Sequence, residues 1–144
     1  MTFELFGPPQ HIGMVVDDVG AAKKAWGEVT GLDWRDYPRR PLEWTLPDGS
    51  TVVTEMTVAY STNDSCAVEL IQEHGAQPLL PDPTGHHVGF IVPDMTEARK
   101  QLEANGLTVY AQLLKDGRPL AAYYTNPHGL LVEIAVPDVA AALH

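Results

Sequence analysis

Residues 10–32 read QHIGMVVDDVGAAKKAWGEVTGL, and residues 86–107 read HHVGFIVPDMTEARKQLEANGL. With His11 set on His87, Gly13 falls on Gly89, Val16 on Val92, Asp18 on Asp94, Ala22 on Ala98 and Lys24 on Lys100. Each copy is followed, many residues later, by a short apolar segment with one embedded glutamate: AVELI around Glu69 and LLVEI around Glu133. One histidine and one glutamate from each copy point to a four-ligand metal site between the two halves.

The elements follow from periodicity. His11 to Val16 alternates between Pro8-Pro9 and Asp17-Asp18 and reads as a strand. A helix follows, with Asp18 as N-cap, Val19, Ala22, Trp26 and Val29 as an apolar stripe, and Gly31 as a left-handed stop. The second copy repeats this more clearly. Asp94 and Glu97 have capping-box spacing, Met95, Ala98 and Leu102 form the stripe, and Gly106 ends the helix. Strand character then spans 32–37, 50–60 and 66–72 in the first half, and 107–114, 120–125 and 130–136 in the second. Pro38 to Gly49 reads as a turn-rich insertion, with turns also at Asp116-Gly117 and Pro127-His128-Gly129. The expected class is therefore α+β, with two tandem βαβββ modules in one domain, about 8–73 and 86–137, joined by a Pro/Gly/Asp-rich linker at 74–85.

Strand parity sorts the side chains. With Ile12, Met14 and Val16 against the helix, His11, Gly13 and Val15 face the other way. In the second copy Val88, Phe90 and Val92 pack against the helix, while His87, Gly89 and Ile91 lie opposite. The same rule chooses His87 over His86 and leaves an open space over the glycine beside each histidine. Glu69 and Glu133 each sit between apolar neighbours. A bare carboxylate is costly to bury unless it is paired, protonated or metal-bound. Two imidazoles and two carboxylates suit one divalent ion such as nickel, zinc, cobalt, manganese or iron, with positions left for substrate.

Composition bounds the partners. At 144 residues the chain suits one compact domain, and no apolar run approaches a membrane-spanning length. A net charge of −10 argues against nucleic acid or an anionic membrane surface, and an anionic substrate would need a local basic group. The single cysteine, Cys66, fits a reducing cytoplasm and reads as a small apolar residue.

Taken together, HIGMVVDD, VELIQ, HHVGFIVPD and NPHGLLVEI resemble the vicinal oxygen chelate superfamily over nearly the whole chain. That superfamily includes glyoxalase I, methylmalonyl-CoA epimerase, extradiol dioxygenases and bleomycin-resistance proteins. The resemblance implies paired modules curving into a mixed-sheet half-barrel around a metal held by His11, Glu69, His87 and Glu133, and a homodimer. It implies a lyase or isomerase that abstracts a proton beside a carbonyl, acting on a small molecule with adjacent oxygens or a thioester. Glu133 would be the base, with Glu69 or Glu55 as the group on the other face. The His-Glu-His-Glu set looks like bacterial glyoxalase I. The strand around Glu55 is similar to an epimerase strand that carries an additional glutamate. The alternatives are a drug-binding protein of the bleomycin-resistance type and an iron-dependent ring-cleaving dioxygenase. Arg35, Arg39, Arg40, Lys115 and Arg118 are the candidate anion-binding residues.

The remaining residues have structural readings. His86 sits at a strand edge or behind the ligands, His74 is structural, and His128 and His144 are solvated. Trp26 belongs to the helix core. Trp34 and Trp44 line the cup or pack on the insertion, and one of Tyr123 and Tyr124 faces the cup. Substrate choice should lie where the halves differ, at Pro38 to Gly49 and Lys115 to Pro119.

Overall fold

The computed structural model describes residues 3–63, 65–75, 77–81, 83–137 and 139; His144 lies outside them. A short α1 (Phe3–Phe6) precedes β1 (His11–Val15), α2 (Val19–Thr30), β2 (Trp34–Thr45), β3 (Thr51–Ser61) and β4 (Ala67–His74). Then come β5 (His87–Ile91), α3 (Met95–Ala104), β6 (Thr108–Lys115), β7 (Arg118–Asn126) and β8 (Gly129–Ala135). The eight strands form one mixed sheet that closes in the order β1-β4-β3-β2-β6-β7-β8-β5. The closure differs from an open half-barrel. It runs through two short seams: β1 with β5 over three register pairs and β2 with β6 over two.

The helix starts are built as the sequence implies. Asp18 accepts a hydrogen bond from Ala21 N and Asp94 one from Glu97 N, each cap contributing about 1 kcal/mol. Gly31 terminates α2 at φ 75°, a conformation that disfavours any side chain. Both helices lie outside the barrel. Val19 and Ala22 of α2 pack with Met14, Val16, Val68 and Leu70. Met95, Ala98 and Leu102 of α3 pack with Phe90, Val92, Ala122, Tyr124 and Ile134. Inside the barrel, Trp44, Met56, Ile71, Leu113, Tyr123 and Leu131 form a separate apolar cluster. Tyr124 therefore faces α3 and Tyr123 faces the interior, as alternation along β7 requires.

Two further expectations fail, for physical reasons. The α2 stripe stops short, because the cluster on that face holds no α2 residue beyond Ala22. Trp26 is half-buried and Val29 is 87 % exposed. The expected insertion at Pro38 to Gly49 is mostly strand, since β2 runs to Thr45 and only Pro47-Asp48-Gly49 turns. Its prolines are tolerated because β2 pairs along its length with β3 alone and meets β6 only at Trp44 and Thr45. Proline is at home on such an edge and at bulges. A register shift between Tyr37 and Arg40 bulges the strand around Pro38. That bulge resets the alternation, so Arg35, Tyr37, Arg40, Leu42 and Trp44 all line the interior cavity.

Candidate metal centre

Strand register brings the expected ligands together in two rows across the sheet. Tyr60 on β3 stands beside Glu69 on β4, which stands beside Gly13 on β1, which stands beside His87 on β5. The second row runs Tyr123 on β7, Glu133 on β8, Gly89 on β5 and His11 on β1. Residues opposite one another on paired strands point to the same face. Adjacent strands are about 4.8 Å apart, so each histidine must reach over an intervening strand to meet its glutamate. The glycine between them permits this. His87 Nε2 lies 3.1 Å from Glu69 Oε1, and His11 Nε2 lies 3.0 Å from Glu133 Oε1. The space above each glycine is not empty, as sequence parity alone implies, but filled by the histidine of the other half. A Cβ on Gly13 would lie within 2.7 Å of three His87 ring atoms, and one on Gly89 within 2.6 Å of three His11 ring atoms.

The rows meet at the β1–β5 seam. His11 Nε2 is 3.3 Å from His87 Nε2 and 3.3 Å from Glu69 Oε1, and His87 Nε2 is 3.9 Å from Glu133 Oε1. His11, His87 and Glu133 each present a ligand atom, all within 4.8 Å of one another, which makes them a possible metal site. Ligand atoms about 2.1 Å from a shared ion stand about 3.0–3.4 Å apart at right to tetrahedral angles. The separations of 3.0, 3.1 and 3.3 Å match that spacing, and the His87–Glu133 separation of 3.9 Å is wider. The outer ring nitrogens agree. His87 Nδ1 donates to the Gly85 carbonyl at 3.0 Å, and His11 Nδ1 donates to Gln10 Oε1. Each imidazole thus turns Nε2 toward carboxylate oxygens and toward the other Nε2. Lone pairs would face lone pairs there unless a cation or protons intervened. The donor set fits a divalent ion.

Without a metal, protons take that role. Burial alone would lower both imidazoles. For His87 the Glu69 hydrogen bond and the two carboxylate charges win, and its pKa is pushed up to about 9. His11 is likewise raised against burial by its bond to Glu133 and the nearby carboxylates. Burial alone would raise Glu69, but hydrogen bonds from His87 and Tyr60 and the imidazole charges lower it. Burial, then the carboxylate charges, push the Tyr60 and Tyr123 hydroxyls well above the usual tyrosine value.

His11, Glu69 and Glu133 form the floor of a cavity of about 1140 Å³, walled by Leu42, Trp44, Met56, Val58 and Ile71. Tyr60 and Tyr123 also line it. The cations on its lining, among the described residues, are Arg35 and Arg40. Glu55 is not brought to the site. It lies on the opposite face of β3 from Met56 and Val58, paired with Arg39 at 2.7 Å near the surface. Lys115 and Arg118 lie at the β6–β7 turn, away from this lining. Tyr60 was missed in the sequence, although VAYS precedes Glu69 by nearly the interval at which AAYY precedes Glu133. His86 accepts a hydrogen bond from the Val15 backbone N–H and His74 Nε2 bonds the Thr57 hydroxyl, both away from the cavity lining. Trp34 packs outside the barrel beside α2, and Trp44 packs inside it on Tyr123.

Residues 10–124 match the model of the Glyoxalase/Bleomycin resistance protein/Dioxygenase superfamily. The chain belongs to that superfamily. No curated protein matches it by sequence. Among solved structures it is similar to methylmalonyl-CoA epimerase from Mycobacterium tuberculosis, with TM-score 0.64, 13 % identity and coverage of 100 % of this chain and 97 % of that one. Another methylmalonyl-CoA epimerase matches with TM-score 0.55 and 20 % identity over 93 % and 98 % of the two chains. A Streptomyces coelicolor methylmalonyl-CoA epimerase variant in complex with 2-nitronate-propionyl-CoA matches with TM-score 0.51 and 17 % identity over 92 % and 99 %. These similarities show a glyoxalase-like fold, a mixed eight-stranded barrel flanked by two longer helices. No helix among the described residues is long and apolar enough to cross a membrane.

Proposed function

We propose that this chain is a cytoplasmic, divalent-metal-dependent epimerase or isomerase that removes a proton from carbon next to a carbonyl or thioester. One observation carries the reading: two histidines and two glutamates from four strands converge, with imidazole nitrogens 3.0–3.9 Å from carboxylate oxygens and 3.3 Å from each other, on the floor of an open cavity. His11, Glu69, His87 and Glu133 would hold the ion. When bound, nickel, zinc, cobalt, manganese or iron(II) supplies Lewis-acid polarisation of a substrate carbonyl oxygen.

The chain's residues then divide the proton work. Glu133, half-buried on the cavity lining, takes the proton as general base. Glu69 belongs to the other row, on the opposite side of the seam. Carrying a proton at the start of the cycle, it would deliver that proton to the other face and be reprotonated when Glu133 gives up the one it removed. Return there inverts the carbon; return to the neighbouring carbon is a glyoxalase-type rearrangement. The apolar walls exclude water and strengthen the local electrostatics.

The structural neighbours support a thioester substrate, since solved epimerases of this fold are complexed with 2-nitronate-propionyl-CoA and methylmalonyl-CoA. Arg35 and Arg40 provide local positive charge for an anionic thioester carrier in a chain of net charge −10. In this reading two βαβββ modules of one domain, about 8–73 and 86–137, contribute one histidine and one glutamate each, and the chain works as a homodimer.

The test is metal analysis and turnover of a methylmalonyl-CoA-type thioester, monitored by solvent deuterium uptake at the acidic carbon. Wild type should exchange that hydrogen only with metal bound, and Glu133→Gln should abolish exchange while metal is retained. Undiminished exchange by Glu133→Gln would remove Glu133 as base. A protein that takes up no metal and binds an aromatic drug would be a non-catalytic binder. Inactivation in air restored by iron(II) would indicate the ring-cleaving dioxygenase.

A further inference from the structure

We propose that Tyr60 and Tyr123 are positioning residues, each bracing one carboxylate and one imidazole of the metal centre. The inference rests on the metal reading above and adds the groups that fix the ligand geometry.

The two tyrosines occupy equivalent places at the ends of the two rows, Tyr60 paired with Glu69 and Tyr123 with Glu133. Tyr60 donates its hydroxyl to Glu69 Oε2 at 2.5 Å, the length of a charge-assisted bond. Glu69 Oε1 is thereby left facing both histidine nitrogens, at 3.1 and 3.3 Å. Tyr123 stands directly beside Glu133 in the β7–β8 register, and, after burial, the Glu133 carboxylate helps raise its hydroxyl pKa. Each ring then crosses to the other row. Tyr60 packs edge-on against His11 at 5.5 Å, and Tyr123 against His87 at 5.0 Å. Every one of the four candidate ligands therefore has a tyrosine beside it: Glu69 through a hydroxyl bond, Glu133 through the strand register, and the two histidines through ring contacts.

A glutamate side chain has three rotatable bonds, and its carboxylate can bind through one oxygen or two. Engaging one oxygen with a tyrosine hydroxyl selects the one-oxygen mode and keeps coordination positions free for substrate. Partners of ligating carboxylates affect metal affinity nearly as much as weak ligands do, typically by about 10–100-fold when removed. The hydroxyl and ring roles separate cleanly by substitution. Phenylalanine keeps the ring against the imidazole and deletes only the bond to the carboxylate.

The experiment uses Co2+ as probe. Its dissociation constant is measured by chelator competition, its visible absorption reports coordination number, and the melting temperature of the metal-free protein reports folding. Wild type should take up one Co2+. Tyr60→Phe and Tyr123→Phe should each weaken Co2+ about 10–100-fold and shift the visible spectrum toward higher coordination, with a folded metal-free protein. Two variants of the same design, in different rows, guard against one failing to fold. Variants that bind Co2+ within twofold of wild type with an unchanged spectrum overturn the tyrosine role and leave the metal centre standing. A wild type that takes up no Co2+ overturns the metal centre and this inference with it.

Discussion

Replacing Gly13 by alanine should empty the metal centre without touching a ligand. The new Cβ would sit within 2.7 Å of three His87 ring atoms, where ordinary contact begins near 3.4 Å. The ring must therefore retreat by about 1 Å, several times the roughly 0.2 Å tolerance on a metal–ligand bond. The backbone at Gly13 does not require glycine, because Gly13 is not among the residues with positive φ. The effect is thus steric and local. Overpacking of this kind costs about 1–3 kcal/mol of stability. Losing the His87 nitrogen should weaken metal by at least about 100-fold, or about 2.7 kcal/mol. Isothermal titration with Ni2+ or Zn2+ measures the affinity, and thermal melting of the metal-free protein measures the strain. Gly89→Ala should behave alike through His11, while Gly20→Ala, in α2 with only Asp18 near at 3.3 Å, should leave metal affinity unchanged. The double variant Gly13→Ala/His87→Ala should regain stability relative to Gly13→Ala, since removing the ring relieves the clash. Wild-type metal affinity in Gly13→Ala would refute the interleaved arrangement of glycine and histidine.

Other outcomes follow from the same geometry. In metal-free protein, His87 is raised to about 9 from an unfolded value near 6.5, so the folded state holds the extra proton between those values. That stabilisation is complete below pH 6.5 and lost as pH rises through 9, so urea midpoints should fall across this window, by at most about 1.4 kcal/mol per pH unit for the one proton. Metal-loaded protein should show no such loss, and equal slopes would contradict a shared proton and metal site. Chelating a metal present at about 100 times its dissociation constant removes about 2.7 kcal/mol, visible as a melting shift of about 10 °C by differential scanning fluorimetry. Arg40→Ala should raise KM for a CoA thioester several-fold through the lost cavity charge. Arg39→Ala breaks only a surface pair with Glu55 and should change neither KM nor stability by more than about 1 kcal/mol. Leu102→Ala, in the buried face of α3, should cost about 2–5 kcal/mol by denaturant melts, whereas exposed Val29→Ala should be near neutral.

What the sequence determined by itself is whatever depends on local periodicity. The repeated segment places β1 and β5, caps both helices at aspartate, and sets His11, His87, Glu69 and Glu133 on strand faces. A two-residue alternation acts within each strand and needs no partner to be read. The same logic failed where a neighbour intervenes. Pro38 and Pro41 read as loop because only the pairing of β2 shows an edge that tolerates proline. Glu55 read as a site residue, but its face on β3 carries it to Arg39 at the surface. Val29 continues a helical stripe past the apolar surface it could cover. Tertiary structure alone decided the cross-strand register. It lays each histidine over the other half's glycine, turns two Nε2 atoms toward one point, and seats Tyr60 and Tyr123 behind the carboxylates. Register is a relation between strands distant in the chain, fixed by which faces pack together, and no window of sequence contains both partners.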